Sequence, residues 1–344
     1  MKYFILFLFY IINCLFCLAQ NINNLEKDKS ILWEISKNGS HQKSYLLGTY
    51  HGGFSNKISY SFLDSLQHFK DILKNVDAVG VECNFEDSLF VKMQIDNLNN
   101  CIHQKYPAYA YLPDSVKRFS QLFTDTIEYD FVNSFLQELK GKKILVPNDY
   151  NRLKPVFTIQ MINNSIQIIK EVADRRSGTV FINIDSGIYN RAKQSGKHLF
   201  FMESTQYHIN LLNEVQSFSI NSYSLQEQSQ ALYYYCKDLK EGLKTSKSYE
   251  KRLQRLYMEG DLKGMQYLED SYFSDLKQRL DFTVIDNEIT VERNKNWIPI
   301  ILTNIDRYSC LIAVGVMHLP GENGLISLLK EKGYQVNPVN IYSK

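Results

Sequence analysis

Two stretches decide how this chain folds: SYLLGTYH at Ser44 to His51 and LIAVGVMH at Leu311 to His318. Each is a short apolar run of the length of a buried strand, and each closes in Gly-x-x-His. A strand that stops at a glycine presents the imidazole just past its end. In open α/β sheets the carboxyl ends of the strands form the edge where ligands bind. Gly48 and Gly315 are expected to turn the backbone sharply there, since glycine tolerates strained dihedrals. One such histidine would say little. Two built alike, with acids ending other strands, point to a divalent-metal site and a hydrolase.

Outward from these runs the pattern alternates between strands and helices. Residues 31–36 and 43–49 read as strands joined through Lys37-Asn38-Gly39-Ser40, where Asn-Gly favours a hairpin. Phe62, Leu63, Leu66, Phe69, Ile72 and Leu73 have helical spacing, so a helix is expected over 62–74. Residues 77–82 and 198–203 then read as short strands, each closed by a glutamate. Residues 85–170 and 206–305 read as largely helical, with helices at 115–123 and 131–139, one ending at Gly196, a junction at Gly260, and a final helix opened by Glu292-Arg293-Asn294. Residues 333–339 form a last strand. No repeat of solenoid length breaks this order. The expected architecture is a single α/β domain over residues 21–344, with a mixed central sheet, Gly-x-x-His motifs at strand ends and large helical insertions.

The strand ends line up four groups: His51, Glu82, Glu203 and His318. Neutral imidazole and carboxylate are ligands that suit zinc, manganese, cobalt or iron. Metal ligands are assigned to His51, His318 and Glu82, and catalytic roles to Glu82, Glu203 and Arg293. His208, five residues past Glu203, is a further potential ligand. Each has a bland alternative: a histidine after a strand is often a surface group, and either glutamate can cap the helix that follows. Arg293 can form an exposed charge pair, or it can clamp a carboxylate or an oxyanion with its fork of donors. H-E-x-x-H, G-x-S-x-G and Walker-type loops are all absent from the sequence, so those chemistries have no motif support.

Composition bounds the partners. The 344 residues are 44% hydrophobic and 22% charged, which is ordinary for a globular chain. Net charge is +2 without a basic block, so no nucleic-acid partner is expected. Residues 1–20 read as a signal peptide: Lys2, an apolar run from Tyr3 to Leu18, then a cut near Ala19 or Gln20. The protein is therefore expected outside the cytoplasm, whether periplasmic, in the cell envelope or secreted. An uncleaved leader would hold it near a membrane. Cys83, Cys101, Cys236 and Cys310 remain after the leader, without a C-x-x-C, and read as unpaired structural thiols. Oligomeric state is left open.

Across nearly the whole mature chain these blocks resemble the TraB/GumN family, which includes the Tiki proteins. Leu32-Trp33-Glu34-Ile35-Ser36 and Tyr45 to His51 resemble its first Gly-x-x-His block. Val79-Gly80-Val81-Glu82 resembles its strand with a terminal glutamate, and residues 197–205 a less specific central block. Tyr257 to Asp261 and Glu292-Arg293-Asn294 resemble helical landmarks, and Ala313 to Gly324 the second Gly-x-x-His block, the most specific match. The resemblance implies a fold related to erythromycin-esterase and ChaN-like proteins. For the Tiki branch it implies a metal-dependent peptidase acting near a substrate's amino terminus with manganese or cobalt. Carried over, His51, Glu82 and His318 form the core of the site with Arg293 nearby. The expected function is an exported metallohydrolase acting on peptide or protein substrates. The alternative is a non-catalytic protein that sequesters a peptide signal, a metal or haem in the same pocket.

Overall fold

Among the described residues six strands form where six were expected: β1 (Leu32–Ser36), β2 (Ser44–Thr49), β3 (Ala78–Val81), β4 (His198–Phe201), β5 (Cys310–Gly315) and β6 (Gln335–Pro338). The structure, a computed structural model, describes residues 29–340 except 38, 40, 51–57, 104–105, 117, 143–145, 163–164, 167–183, 222, 243–248 and 278–286. The strands make one sheet in the order β4-β3-β5-β2-β1-β6. β4, β3, β5 and β2 run parallel, and β1 runs antiparallel between β2 and β6. β5 lies between β3 and β2 and is buried from Cys310 to Val314. A strand covered on both faces needs apolar residues at every position, which is why LIAV reads as an unbroken run. The hairpin between β1 and β2 turns through Gly39 at φ +82. The mixed α/β sheet with helical insertions is the architecture the sequence implied.

The helices with both ends among the described residues include α1 (Ser61–Ser65), α2 (Phe69–Asn75), α3 (Ser88–His103), α4 (Thr126–Gly141), α5 (Ile184–Gln194), α6 (Thr205–Asn221), α7 (Leu225–Gly242), α8 (Tyr249–Met258), α9 (Leu262–Lys277), α10 (Arg293–Ile305) and α11 (Leu325–Glu331). α5 packs on β3, β4 and β5, while α10 packs on β5 and α11. Their apolar faces and the sheet form one core, containing Trp297, Ile301, Leu47 and Val79. A second core, with Phe119, Phe135, Leu139, Leu232 and Cys236, joins α4 to α7. No helix among the described residues is long and apolar enough to cross a membrane. The leader expected at residues 1–20 lies outside the described residues.

Four expectations change. The helix over 62–74 is two helices, because the chain breaks at His68, which takes φ +66. Leu63, Leu66 and Phe69 are all buried across that break, so the apolar spacing persists while the backbone does not. Residues 115–123 contribute only a 3-10 turn, Phe119–Leu122. The helix opened by Arg293 is not the last, since α11 follows Gly324. Most informative are the motif glycines: Gly48 has no positive φ and Gly315 sits at φ −49, so neither makes a strained turn.

Gly48 is required for space instead. A Cβ there would lie 2.8 Å from Val316 Cγ2 and 3.0 Å from the Val316 Cα. Its carbonyl also accepts the Tyr257 hydroxyl at 2.9 Å. The end of β2 thus sits directly against the turn that carries His318. Gly48→Ala is expected to cost about 1–3 kcal/mol through overpacking, read as a lowered urea midpoint. An unchanged midpoint would mean that this contact relaxes freely.

Cys83, Cys236 and Cys310 are buried and unpaired. Burial, reinforced for Cys83 by the Glu82 and Glu203 charges, pushes the Cys83 thiol up to about 12. Burial likewise raises Cys310 to about 12. Such thiols stay protonated at neutral pH and act as small apolar groups.

Candidate functional site

Adjacent parallel strands put residues distant in sequence side by side. Glu82 follows β3, Glu203 follows β4, and the 3-10 turn Val316–His318 follows β5, all at the carboxyl edge. The backbone ties these ends together: the Glu203 N–H donates to the Glu82 carbonyl at 3.0 Å. The Gly315 N–H donates to Glu82 Oε1 at 2.7 Å, which locks that carboxylate onto the end of β5. Glu82 and His318 are both buried. His51 lies outside the described residues; β2, which precedes it, ends beside β5.

Arg293 is the hub. It begins α10 directly after a π-helix, Asn287–Glu292. Only 5% of the residue is exposed, so the charge-pair alternative fails for it. That pair exists one turn over, between Glu292 and Lys295 at 2.9 Å. The guanidinium grips Glu203 with two bonds, Nε to Oε2 at 3.0 Å and Nη2 to Oε1 at 2.8 Å. The same Nη2 donates to Glu82 Oε2 at 2.6 Å. Nη1 donates to the Ile289 carbonyl at 3.3 Å and to His318 Nε2 at 3.2 Å. Burial works against the charge on Arg293, yet the Glu82 charge and the Glu203 hydrogen bond outweigh it and raise its pKa.

α10 supplies the rest of the frame because Arg293, Asn294 and Trp297, all buried, fall within about 100° of arc on its inner side. Trp297 lies 4.5 Å from the guanidinium and 4.4 Å from the His318 ring. Its Nε1 donates to Glu203 Oε2 at 3.1 Å. Asn294 fixes the imidazole. Its Nδ2 donates to the carbonyls of His318 at 3.2 Å and Asn323 at 2.9 Å, so its Oδ1 is the atom facing His318 Nδ1 at 2.7 Å. Nδ1 therefore carries the hydrogen, and Nε2 is the acceptor that meets Arg293. This tautomer makes His318 a neutral base with its lone pair aimed at the hub.

Glu203 also holds His208, with Nδ1 2.7 Å from Oε1. Burial opposes ionisation of Glu203, but the hydrogen bonds from His208 and Arg293 and the guanidinium charge overcome it, and its carboxyl falls below the ordinary 4.5. A depressed carboxylate contributes stability that is complete above that ordinary value and lost as pH falls through the folded one. Thermal melts from about pH 6 to about pH 3 should therefore show a steep acid limb that flattens in Glu203→Gln. Parallel limbs in the two proteins would contradict the assignment.

The structure thus unites four of the five expected residues, Glu82, Glu203, Arg293 and His318. The sequence did not signal roles for Asn294 and Trp297, though the spacing 293, 294, 297 on one helix face was legible. Asp185 was also missed. It is buried at the start of α5, and Thr49 Oγ1 donates to its Oδ1 at 2.7 Å. Only the fold brings it to the end of β2.

The fold and site define a mixed α/β protein with a buried carboxylate, arginine and imidazole centre at its strand ends. The chain belongs to the TraB/PrgY/gumN family, whose match covers residues 31–338. No curated protein and no solved structure matches it.

Proposed function

We propose that the protein is an exported metal-dependent hydrolase, a peptidase in particular, with its chemistry at the Glu82, Glu203, Arg293 and His318 centre. One observation carries this reading: Glu82, Glu203 and His208 each offer a ligand atom, all within 4.8 Å of one another. Carboxylate and imidazole donors suit manganese, cobalt, zinc and iron. Two carboxylates around one guanidinium also leave negative charge for a cation to balance. Among the described residues Glu203 and His208 would hold a divalent ion with Glu82 beside them, and the family resemblance adds His318 and His51. Manganese or cobalt is the choice implied by the family resemblance, and export rests on the leader at residues 1–20.

An ion held there would polarise a carbonyl and lower the pKa of a water. The chain does the rest. Glu203, held by Arg293, Trp297 and His208, would be a ligand of the ion and orients those groups. Proton acceptance falls to Glu82, whose Oε1 is already anchored on Gly315. Arg293 steadies an oxyanion or a peptide terminus. With Nδ1 committed to Glu203, His208 meets any ligand through Nε2.

The test is cleavage of a peptide library by purified protein. Chelation is expected to abolish cleavage, and added manganese or cobalt to restore it. Equal cleavage before and after chelation would remove the metal from the mechanism.

A further inference from the structure

The donors that fit an ion are already engaged by a side chain. Glu82 Oε2 and both oxygens of Glu203 accept from Arg293, and so does His318 Nε2. A guanidinium with an ion among the same donors would place two cations against each other in a buried site, where their repulsion is strong. The two occupants exclude one another unless the arginine moves.

The segment before Arg293 is suited to that movement. Asn287–Glu292 is π-helical, a rare register that recurs at functional sites. Arg293 is tied to it through the Ile289 carbonyl. This segment also packs on the turn that carries His318. A change of register there would move the guanidinium and the rim of the site together.

We propose that Arg293 is a built-in competitor for the cation site: its guanidinium closes the centre in the resting protein, and a divalent ion enters only when Arg293 releases Glu82 and Glu203 through the π-helical segment. This rests on the metal reading above and adds to it a closed state and an open one. Ion affinity is then reduced by the fraction of molecules that are closed. Removal of the guanidinium abolishes that reduction.

The experiment is calorimetric titration of the full chain with Mn2+, comparing wild type with Arg293→Met and Arg293→Lys. Arg293→Met is expected to bind at least about tenfold more tightly, with Arg293→Lys between the two. In wild type, Mn2+ should speed hydrogen exchange of the amides at 287–293. Equal or weaker binding by Arg293→Met would overturn the competition and leave the metal reading standing. So would binding by wild type with unchanged exchange at 287–293. Should Arg293→Met fail to fold, that exchange measurement decides alone. Binding by neither protein would sink both the metal reading and this one.

Discussion

Arg293→Met, in metal-free buffer, is expected to lose about 3–5 kcal/mol of stability, the cost of removing one partner from a buried ion pair. The size follows from what remains. Glu82 and Glu203 are left buried, and the 2.6 Å and 2.8 Å contacts that offset their charges disappear. Gly315, Trp297 and His208 still donate to them, which keeps the loss finite. Urea denaturation gives the measurement, as a lowered midpoint with unchanged slope. The control is the triple variant that also carries Glu82→Gln and Glu203→Gln. It should recover much of the loss, because no ionised carboxylate is then stranded. A stability within about 1 kcal/mol of wild type for Arg293→Met would place the pair among weak surface-like interactions.

Glu82→Gln is expected to lower turnover of a cleaved peptide by about 10²–10⁴-fold, the usual contribution of a positioned general base. The amide keeps an oxygen for the Gly315 N–H, so the backbone frame survives. What disappears is the group that takes the proton. Single-turnover cleavage measures the loss, and fluorescence anisotropy of a labelled peptide measures binding, which should change little. Full turnover would move the proton to another residue. Wild-type protein that binds peptide without cleaving it, and whose biological effect survives Glu82→Gln, would favour the sequestering alternative.

The sheet was legible because its strands obey simple rules. LIAV at 311–314 is apolar at every position, as a strand covered on both faces must be. The acids at 82 and 203 and the imidazole at 318 were also legible, since polar groups at the ends of apolar runs stand out. Periodicity alone could not reveal where the backbone breaks. Leu66 and Phe69 keep their spacing across His68 although the helix does not. Nor could it distinguish a glycine needed for φ from one needed for room, and Gly48 is the second kind. Local reading left Arg293 between an exposed charge pair and a clamp. Its sequence neighbours are a glutamate and an asparagine, while the two carboxylates it serves lie 211 and 90 residues away.

The bond from Gly315 N–H to Glu82 Oε1 carries the centre's electrostatics into the main chain. At the end of the innermost parallel strand, an amide is polarised by a side chain whose charge the site itself governs. Its proton resonance is thus a gauge built into the polypeptide. Neutralising Glu82 or withdrawing its charge towards a newcomer shifts that signal upfield, and the change can be followed by NMR with no substrate present.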